Sequence, residues 1–359
     1  MCIENNMKLL SICIPTYNRP DKLKEIYQNF LVFALHEYGD QVEVVVRDNS
    51  DEKNARINRS ILEGTQVRYY KNETNVYFCG NQVRLIGDSK GQFIWIVSDD
   101  DLILMDGFKQ LMSCLPTASK ECIDCLILPI NYRNNMGELI EHKYGMNSKG
   151  DTDIEKYLKT LPVVPFGYFA EAVIRVNKSR LDWVAKEYQG NEIINIPLFL
   201  TMLKPESKMR FLDKAVIEYH ETYYVRGFDI CKYYYWHREV TSFLEKYYNV
   251  DSAMLNDNSY KEFLLMVLVH RVGLRIYPNI KEVRRFLVTK IRHNLCLKSI
   301  ALATIIVLPG SLVRHPYLFY LSVQRAHGCG GFSIKEVVSR YSLLNNFIRT
   351  KEDERRSVN

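Results

Sequence analysis

Three consecutive carboxylates, Asp99, Asp100 and Asp101, are the residues whose type and spacing most directly suggest chemistry. They follow the apolar run 93–97, which is rich in β-branched and aromatic residues and too short for a helix. We therefore expect a buried strand that ends in the carboxylates. Like charges at such a tip repel one another and lose hydration, so a divalent cation such as Mg²⁺ or Mn²⁺ would stabilise them.

The position of the carboxylates at the end of a strand suggests a nucleotide site. In open α/β sheets, ligands bind outside the carboxyl ends of the strands. The alternative is that the residues from Ser98 to Asp101 only connect the strand to a turn and cap the next helix.

Apolar runs and helical spacing alternate along the first part of the chain. This alternation predicts an α/β fold with a mostly parallel sheet and helices on both faces. Right-handed crossovers would bring the ends of several strands to one edge. Strands are predicted at 9–15, 42–48, 67–70, 93–97, 123–130, 163–176 and 211–219, and later helices at 178–187 and 193–203.

The pattern becomes helical only from about residue 230, so we expect a domain at 1–228 and a C-terminal helical domain at 229–359. The segment 261–298 carries nine Lys or Arg residues and two Glu residues, with apolar patches between them. Such helices suit peripheral contact with an anionic membrane. The alternatives are a packed bundle whose basic side chains are solvated and a homodimer that forms through the apolar helices.

Bulk composition excludes several classes of protein. A net charge of +6 over 359 residues does not indicate nucleic-acid binding. The nine cysteines are scattered, and the isolated pair Cys122 and Cys125 lacks the second pair of a zinc site. Reduced thiols, a polar start without a signal peptide and the lack of a long apolar window all indicate a cytoplasmic protein.

The order of these features resembles family 2 of the inverting glycosyltransferases, which have the GT-A fold. The resemblance covers about residues 8–225 and rests on LSICIPTYNRPDKL, VEVVVRDNSDE, NVYFCGNQVRLIGDSKGQFIWIVSDDD and, more loosely, GNE at 190–192. The style of IPTYNR and WIVSDDD also resembles O-antigen and capsule transferases of the abequosyltransferase type. The implied fold is Rossmann-like, with a mostly parallel mixed sheet.

The resemblance implies a hexosyl- or deoxyhexosyltransferase of bacterial surface polysaccharide synthesis. Its donor would be a UDP-, dTDP-, CDP- or GDP-sugar, its cofactor Mn²⁺ or Mg²⁺, and its acceptor a glycan hydroxyl, free or polyprenyl-linked. Such an enzyme would act in the cytoplasm, at the inner face of the membrane if the helical domain binds lipid.

The resemblance also assigns residues to the nucleotide. Tyr17 could pack on the base, and Asp48 could accept a hydrogen bond from it; alternatively, Asp48 is a turn residue paired with Ser50. Gly80 would permit close backbone approach, and Arg84 could reach a phosphate or lie on a solvated helix face. The complete nucleotide set is Pro15, Thr16, Tyr17, Asn18, Arg19, Asp48, Asn75, Gly80, Asn81, Arg84, Ser98 and Asp99.

The metal motif of the family is Asp-x-Asp. In this chain Ser98 takes the place of the first Asp, which weakens the case for ribose binding there and for metal affinity. Asp100 falls on the last Asp, the expected metal ligand, and Asp101 is assigned as a second ligand.

Inversion requires a general base for the acceptor hydroxyl. Glu192 is our choice, with Asp182 and Glu171 as competitors; alternatively, Glu192 only favours the dipole of the next helix. His220 and Arg226 could contact the diphosphate, although a lone histidine at a strand end is more often structural.

Two other functions compete with the transferase. A nucleotidyltransferase would usually show a Gly-rich basic signature after the first strand, which PTYNRP lacks. A sugar-nucleotide-binding assembly subunit with a weakened site is favoured by Ser98.

Overall fold

The computed structural model describes residues 7–133, 139–142, 151–160, 169–188, 194–220, 230–250, 314–316 and 318. The chain divides into two compact units. One unit holds nearly all of the described residues, including those of every strand. The other has only 230–235, 314–316 and 318 among them, so its fold lies outside the described residues.

The elements of the larger unit follow in βα order, as predicted. The strands are β1 Leu10–Thr16, β2 Val42–Asp48, β3 Arg68–Lys71, β4 Phe93–Ile96, β5 Leu102–Ile103, β6 Ile123–Ile127, β7 Ile130–Arg133, β8 Leu139–His142, β9 Thr152–Asp153, β10 Ala172–Arg175, β11 Lys208–Phe211 and β12 Ile217–His220. The helices are α1 Pro20–Ile26, α2 Val32–Tyr38, α3 Glu52–Leu62, α4 Tyr77–Asp88, α5 Met105–Lys120, α6 Ile154–Thr160, α7 Leu181–Glu187, α8 Asn195–Met202 and α9 Ile230–Tyr248. A π-helical turn, Tyr27–Leu31, joins α1 to α2, and a 3₁₀ turn, Phe169–Glu171, precedes β10.

A sheet of eight strands, in the order β3-β2-β1-β4-β10-β6-β11-β9, forms the frame of the unit. The first four strands are all parallel, while β10 and β9 run antiparallel to their neighbours. The register pairs Thr16 with Asp48 and Cys13 with Ile96. The carboxyl ends of β1, β2 and β4 therefore lie at one edge. The predicted α/β fold with a mostly parallel mixed sheet is confirmed.

Helices cover both faces of the sheet, which is why its central strands are apolar along their whole length. On one face, α1, α2 and α5 pack on Ile12, Val44 and Trp95. On the other face, α4, α7, α8 and α9 pack on residues such as Cys13 and Ile96. The expectation that 93–97 is a buried strand is confirmed, since each of its residues is at most 1% exposed.

Three strand predictions were wrong in extent. In the described part of 163–176, the strand is only Ala172–Arg175, and the 3₁₀ turn Phe169–Glu171 precedes it. The run 123–130 is two strands, β6 and β7, which belong to different sheets; Pro129 between them has no N–H to continue a ladder. The run 211–219 likewise combines the end of β11 with β12, and Asp213 and Lys214 lie in the bend between them. A second sheet, in the order β5-β12-β7-β8, results.

The second sheet begins directly after the carboxylates. Strand β5 starts at Leu102 and pairs antiparallel with β12, with Leu102 opposite Glu218. Since β12 continues past Glu218 to His220, its carboxyl end lies on the side of β5 from which Asp101 enters.

The later helices agree with the sequence pattern where they are described. Helices α7 and α8 occupy 181–187 and 195–202, and Val240, Phe243 and Leu244 of α9 belong to the core of the α/β unit. The predicted basic helices of 261–298 lie outside the described residues, and the domain boundary at 228 stays a prediction. Within the described part of the chain, no helix is both long and apolar enough to cross a bilayer.

A buried carboxylate fixes the amino edge of the central strands. Glu43 accepts a hydrogen bond from Ser11 Oγ at 2.5 Å and pairs with Arg68 at 2.5 Å. The same carboxylate accepts hydrogen bonds from the backbone of Lys90 and Gly91. Gly91 allows this approach, because a Cβ there would lie 2.6 Å from Ser11 N. Burial alone would raise the pKa of Glu43, but these hydrogen bonds and the ion pair outweigh it and lower the pKa.

Glu43→Gln should therefore destabilise the fold in a pH-dependent way. A lowered folded-state pKa means that ionised Glu43 stabilises the fold above the ordinary carboxyl pKa, and that this stabilisation is lost as the pH falls through the lowered value. We expect the variant to lose about 2 kcal/mol of unfolding free energy near neutral pH and progressively less in acid. Urea denaturation across pH measures the difference. Glu25→Gln, at an exposed ion pair with Lys22, is the control and should change little. A pH-independent difference for Glu43→Gln would contradict this account.

Candidate active site

The predicted carboxylates lie at the edge where β1, β2 and β4 end. Thr16, the last residue of β1, donates from Oγ1 to Asp99 Oδ2 at 2.6 Å. The backbone N–H of Asn49, just after β2, donates to Thr16 O at 3.0 Å. The structure thus brings Thr16, Asp48 and the carboxylates after β4 to one edge, as the strand order requires.

Arg19 bridges two of the carboxylates. Its Nη2 lies 2.5 Å from Asp99 Oδ1, and its Nη1 lies 2.7 Å from Asp100 Oδ2. The sequence assigns Arg19 to the nucleotide, but its ion pairs with residues 80 positions away had no signal in the local pattern.

The three carboxylates have different surroundings. Asp99 is buried, and this burial raises its pKa to about 6 although Arg19 and Thr16 oppose the rise. Burial also raises the pKa of Asp101 to about 7. The hydrogen bond that Asp101 Oδ2 accepts from the Ser98 N–H at 2.8 Å lowers this pKa but does not outweigh the burial. Asp100 is exposed, and its Oδ1 accepts a hydrogen bond from Ser98 Oγ at 2.5 Å.

The described residues could hold a divalent cation at this edge only if a bound substrate supplied further oxygen ligands. Among the described residues, no group of three or more His, Cys, Asp or Glu side chains converges to hold a metal. Asp99 faces Thr16 and Arg19, whereas Asp101 accepts from a backbone N–H, so Asp100 presents the accessible carboxylate. Mg²⁺-type ions are often held by one or two carboxylates together with substrate phosphates and water, and Asp100 meets that requirement.

Asp48 is fully buried, and its carboxylate already has three donors. Oδ1 accepts from Ser50 N at 2.7 Å, and Oδ2 accepts from Asn58 Nδ2 at 2.8 Å and from Tyr69 Oη at 2.6 Å. These contacts hold the turn after β2. Direct contact between Asp48 and a base stays a prediction, since the carboxylate has no exposed surface here.

Four asparagines join the turn after β2 to the start of α4. Asn49 Nδ2 donates to Asn75 Oδ1 at 2.5 Å, and Asn72 Nδ2 donates to Asn81 Oδ1 at 2.7 Å. Asn72 Nδ2 also donates to Asn49 Oδ1 at 3.2 Å, so the four side chains form one network. Asn75 and Asn81, which the sequence assigns to the nucleotide, are thus parts of the scaffold that supports this edge.

The other two residues of α4 that the sequence assigns to the nucleotide are Arg84 and Gly80. Arg84 lies exposed on the helix and donates to Asn72 Oδ1 at 3.1 Å. Gly80 allows close approach of Val76, whose Cβ would lie 3.0 Å from a Cβ at position 80.

Two exposed tyrosines flank the network. Tyr17 is 50% exposed directly after β1, and Tyr77 is 68% exposed at the start of α4. Tyr77 has a φ of +59°, which is strained for a bulky residue, and Asn75 and Asn49 hold its backbone N–H and carbonyl. Asn18 has a φ of +53°, which asparagine tolerates better. Tyr77 was not among the predicted residues, since nothing in the sequence reveals its backbone conformation.

The candidate bases and the candidate diphosphate contacts lie in different parts of the chain. Glu192 and Arg226 lie outside the described residues. Glu171 is buried at the amino end of β10, which is the edge where the antiparallel β4 ends. Asp182 is exposed on α7, which follows the opposite end of β10. For His220 the described feature is its place at the end of β12.

One family of known proteins matches the segment of the chain that contains the carboxylates. Residues 11–180, slightly less than half of the chain, match the family described as Glycosyl transferase family 2. No curated protein matches the chain.

Solved structures give distant likenesses. S. aureus TarS matches 78% of this chain at 16% identity with a TM-score of 0.47, and the chain spans only 47% of that protein. A fragment, TarS 1–349 in complex with UDP, matches 96% of this chain and 92% of its own length at 16% identity and a TM-score of 0.48. The mannosyltransferase PcManGT from Pyrobaculum calidifontis, in complex with GDP-Man and Mn²⁺, matches 88% of this chain and 90% of its own length at 11% identity and a TM-score of 0.44.

Tyr77→Gly should stabilise the protein, because glycine adopts a positive φ without steric cost. We expect a gain of about 1 kcal/mol in unfolding free energy, measured by urea denaturation. Phe78→Gly is the matched control: Phe78 has no positive φ and packs on Phe169 with ring centroids 5.6 Å apart, so this variant should be less stable. Equal losses for both variants would show that the backbone at Tyr77 is not strained.

Proposed function

We propose that the chain is an inverting, metal-dependent glycosyltransferase that moves a sugar from a nucleoside-diphosphate donor to a hydroxyl of a glycan acceptor. One observation carries the proposal. Within the family-matched segment, the exposed carboxylate of Asp100 and the guanidinium of Arg19 adjoin each other at the carboxyl edge of parallel strands. A diphosphate requires two groups there. One is a carboxylate that holds a divalent metal ion, and the other is a positively charged side chain that binds the phosphates.

The donor is bound along this edge. Tyr17, half exposed after β1, offers an aromatic face for the base. Asp48 supports this edge indirectly, because its carboxylate accepts a hydrogen bond from the backbone N–H of Ser50 and so holds the turn after β2. The hydroxyl of Ser50 accepts a hydrogen bond from the backbone N–H of Asn18. Arg19 offers its guanidinium to the phosphates. Asp100, with Asp101 as the second assigned ligand, would hold a divalent cation, and such an ion would supply neutralising charge for the leaving diphosphate.

Sugar transfer with inversion also needs a base on the acceptor side. The acceptor hydroxyl loses its proton as its oxygen attacks the anomeric carbon, and the proton goes to a carboxylate. We assign this role to Glu192. Glu171 remains a competitor on the correct edge, while Asp182 is disfavoured because its helix follows the opposite end of β10.

The wider setting follows from the chemistry of surface polysaccharides. We propose a lipid-linked glycan acceptor and place the enzyme at the inner face of the cytoplasmic membrane, where the basic segment 261–298 could contact anionic headgroups. O-antigen or capsule synthesis of the abequosyltransferase type is the corresponding pathway class.

A sugar-nucleotide-binding subunit without transferase activity is the second candidate. Ser98 in the place of a metal-motif carboxylate and the pairing of Asp100 with Arg19 favour it. Slow release of nucleoside diphosphate from one sugar nucleotide, measured by chromatography, supports the transferase; binding without any turnover supports the subunit.

Asp100→Ala should abolish metal-dependent donor binding while leaving the fold intact, because Asp100 is exposed. Calorimetric titration of UDP- and GDP-sugars with and without Mn²⁺ measures the effect, and the loss should exceed about tenfold. Asp106→Ala, at another exposed carboxylate six residues away, is the control and should bind as the unaltered protein does. Unchanged metal-dependent binding in Asp100→Ala would refute the assignment of the cation site.

Glu192→Gln should stop transfer while preserving donor binding, since the amide cannot take the acceptor proton. Turnover should fall at least about a hundredfold, with the donor dissociation constant unchanged. Asp182→Asn is the comparison and should retain activity. Near-normal turnover in Glu192→Gln would move the base to another residue, with Glu171 the first to test.

A further inference from the structure

The charge balance at the carboxylates depends on Arg19. Asp99, Asp100 and Asp101 are consecutive, and among the ion pairs of the described residues Arg19 alone contacts any of them. It reaches Asp99 and Asp100 with different nitrogens, so a single guanidinium serves two carboxylates. A planar fork of donors suits this arrangement better than an ammonium does.

The backbone holds Arg19 in place for these contacts. Its carbonyl accepts a hydrogen bond from Leu23 N at 3.1 Å, and Pro20 follows as the first residue of α1. Asn18 precedes it in the left-handed region, with its N–H bonded to Ser50 Oγ at 2.7 Å. The side chain itself remains 43% exposed, so a ligand can reach its guanidinium from solvent.

Both oxygens of Asp100 are engaged in this arrangement. Oδ2 pairs with Arg19 at 2.7 Å, and Oδ1 accepts a hydrogen bond from Ser98 Oγ at 2.5 Å. A hard cation that approached Asp100 would meet the positive guanidinium at contact distance, and like charges that close repel strongly. Arg19 therefore competes directly with a cation for the most accessible carboxylate of the edge.

We propose that Arg19 is a built-in counter-cation that keeps a divalent metal from Asp100 until a diphosphate arrives and takes over the guanidinium. The inference rests on the proposed function and deepens it, because it makes metal binding conditional on the nucleotide. A phosphate is the natural competitor, since it accepts the same paired hydrogen bonds as a carboxylate. When Arg19 turns to the phosphates, Asp100 is released to the metal.

Binding of Mn²⁺ alone, followed by electron paramagnetic resonance of the full-length protein, tests the inference without any turnover. The unaltered protein should bind Mn²⁺ weakly, and Arg19→Gln should bind it at least about tenfold more tightly. Arg56→Gln is the matched control, because Arg56 is an exposed arginine whose ion pair is with Glu52 at 3.5 Å; it should bind as weakly as the unaltered protein. The double variant Arg19→Gln with Asp100→Asn should lose the gain, which assigns the bound ion to Asp100.

A second measurement needs no variant. Added UDP should raise the amount of protein-bound Mn²⁺ in the unaltered protein, whereas in Arg19→Gln Mn²⁺ should bind with or without UDP. Equal Mn²⁺ affinity of the unaltered protein and Arg19→Gln would overturn the inference; if Arg19→Gln does not fold, tight binding of Mn²⁺ to the unaltered protein without UDP would overturn it. Failure of all nucleoside diphosphates and sugar nucleotides to bind would instead refute the proposed function, because the Mn²⁺ titration of Arg19→Gln requires no nucleotide.

Discussion

A carboxylate with no exposed surface at the tip of a buried strand is the constraint on which this edge of the molecule depends. The Asp99 side chain has lost its water, and the fold compensates with a hydroxyl from Thr16 and a guanidinium from Arg19. Both partners come from the chain directly around the end of β1. The parallel pairing of β1 with β4 is therefore what makes the buried charge tolerable, and it also places Asp100 at the surface beside Arg19.

The remaining parts of the edge are held by polar side chains rather than by apolar packing. Asp48 fixes the turn after β2, and the asparagine network ties that turn to the start of α4. A rigid scaffold of this kind can hold Tyr77 in a strained conformation, and such strain is typical of functional sites. The same scaffold leaves Tyr17 and Arg19 as the more exposed groups, so the edge combines fixed support with side chains that can adapt to a ligand.

The sequence predicted the fold well where one signal dominated. Strand β2 at 42–48 was found to the residue, because a short run of valines bounded by polar residues has no competing interpretation. Prediction from the sequence failed where two strands follow each other without a long polar loop, as around Pro129. Apolar character alone does not reveal that the chain passes from one sheet to another. The edge occupied by the carboxylates followed from strand order, but the pairing of Arg19 with Asp99 did not, because local pattern carries no information about contacts 80 residues apart.

In the proposed enzyme, the carboxyl edge of β1, β2 and β4 binds a nucleoside diphosphate together with a cation at Asp100. A crystal structure of the full chain with a nucleoside diphosphate and Mn²⁺ tests it most directly, because the anomalous signal of manganese locates the ion independently of the phosphates. The account predicts the manganese peak within coordination distance of Asp100, with the diphosphate beside Arg19 and the base near Tyr17. An ordered nucleotide at another edge of the sheet, or a manganese peak remote from Asp100, would contradict it.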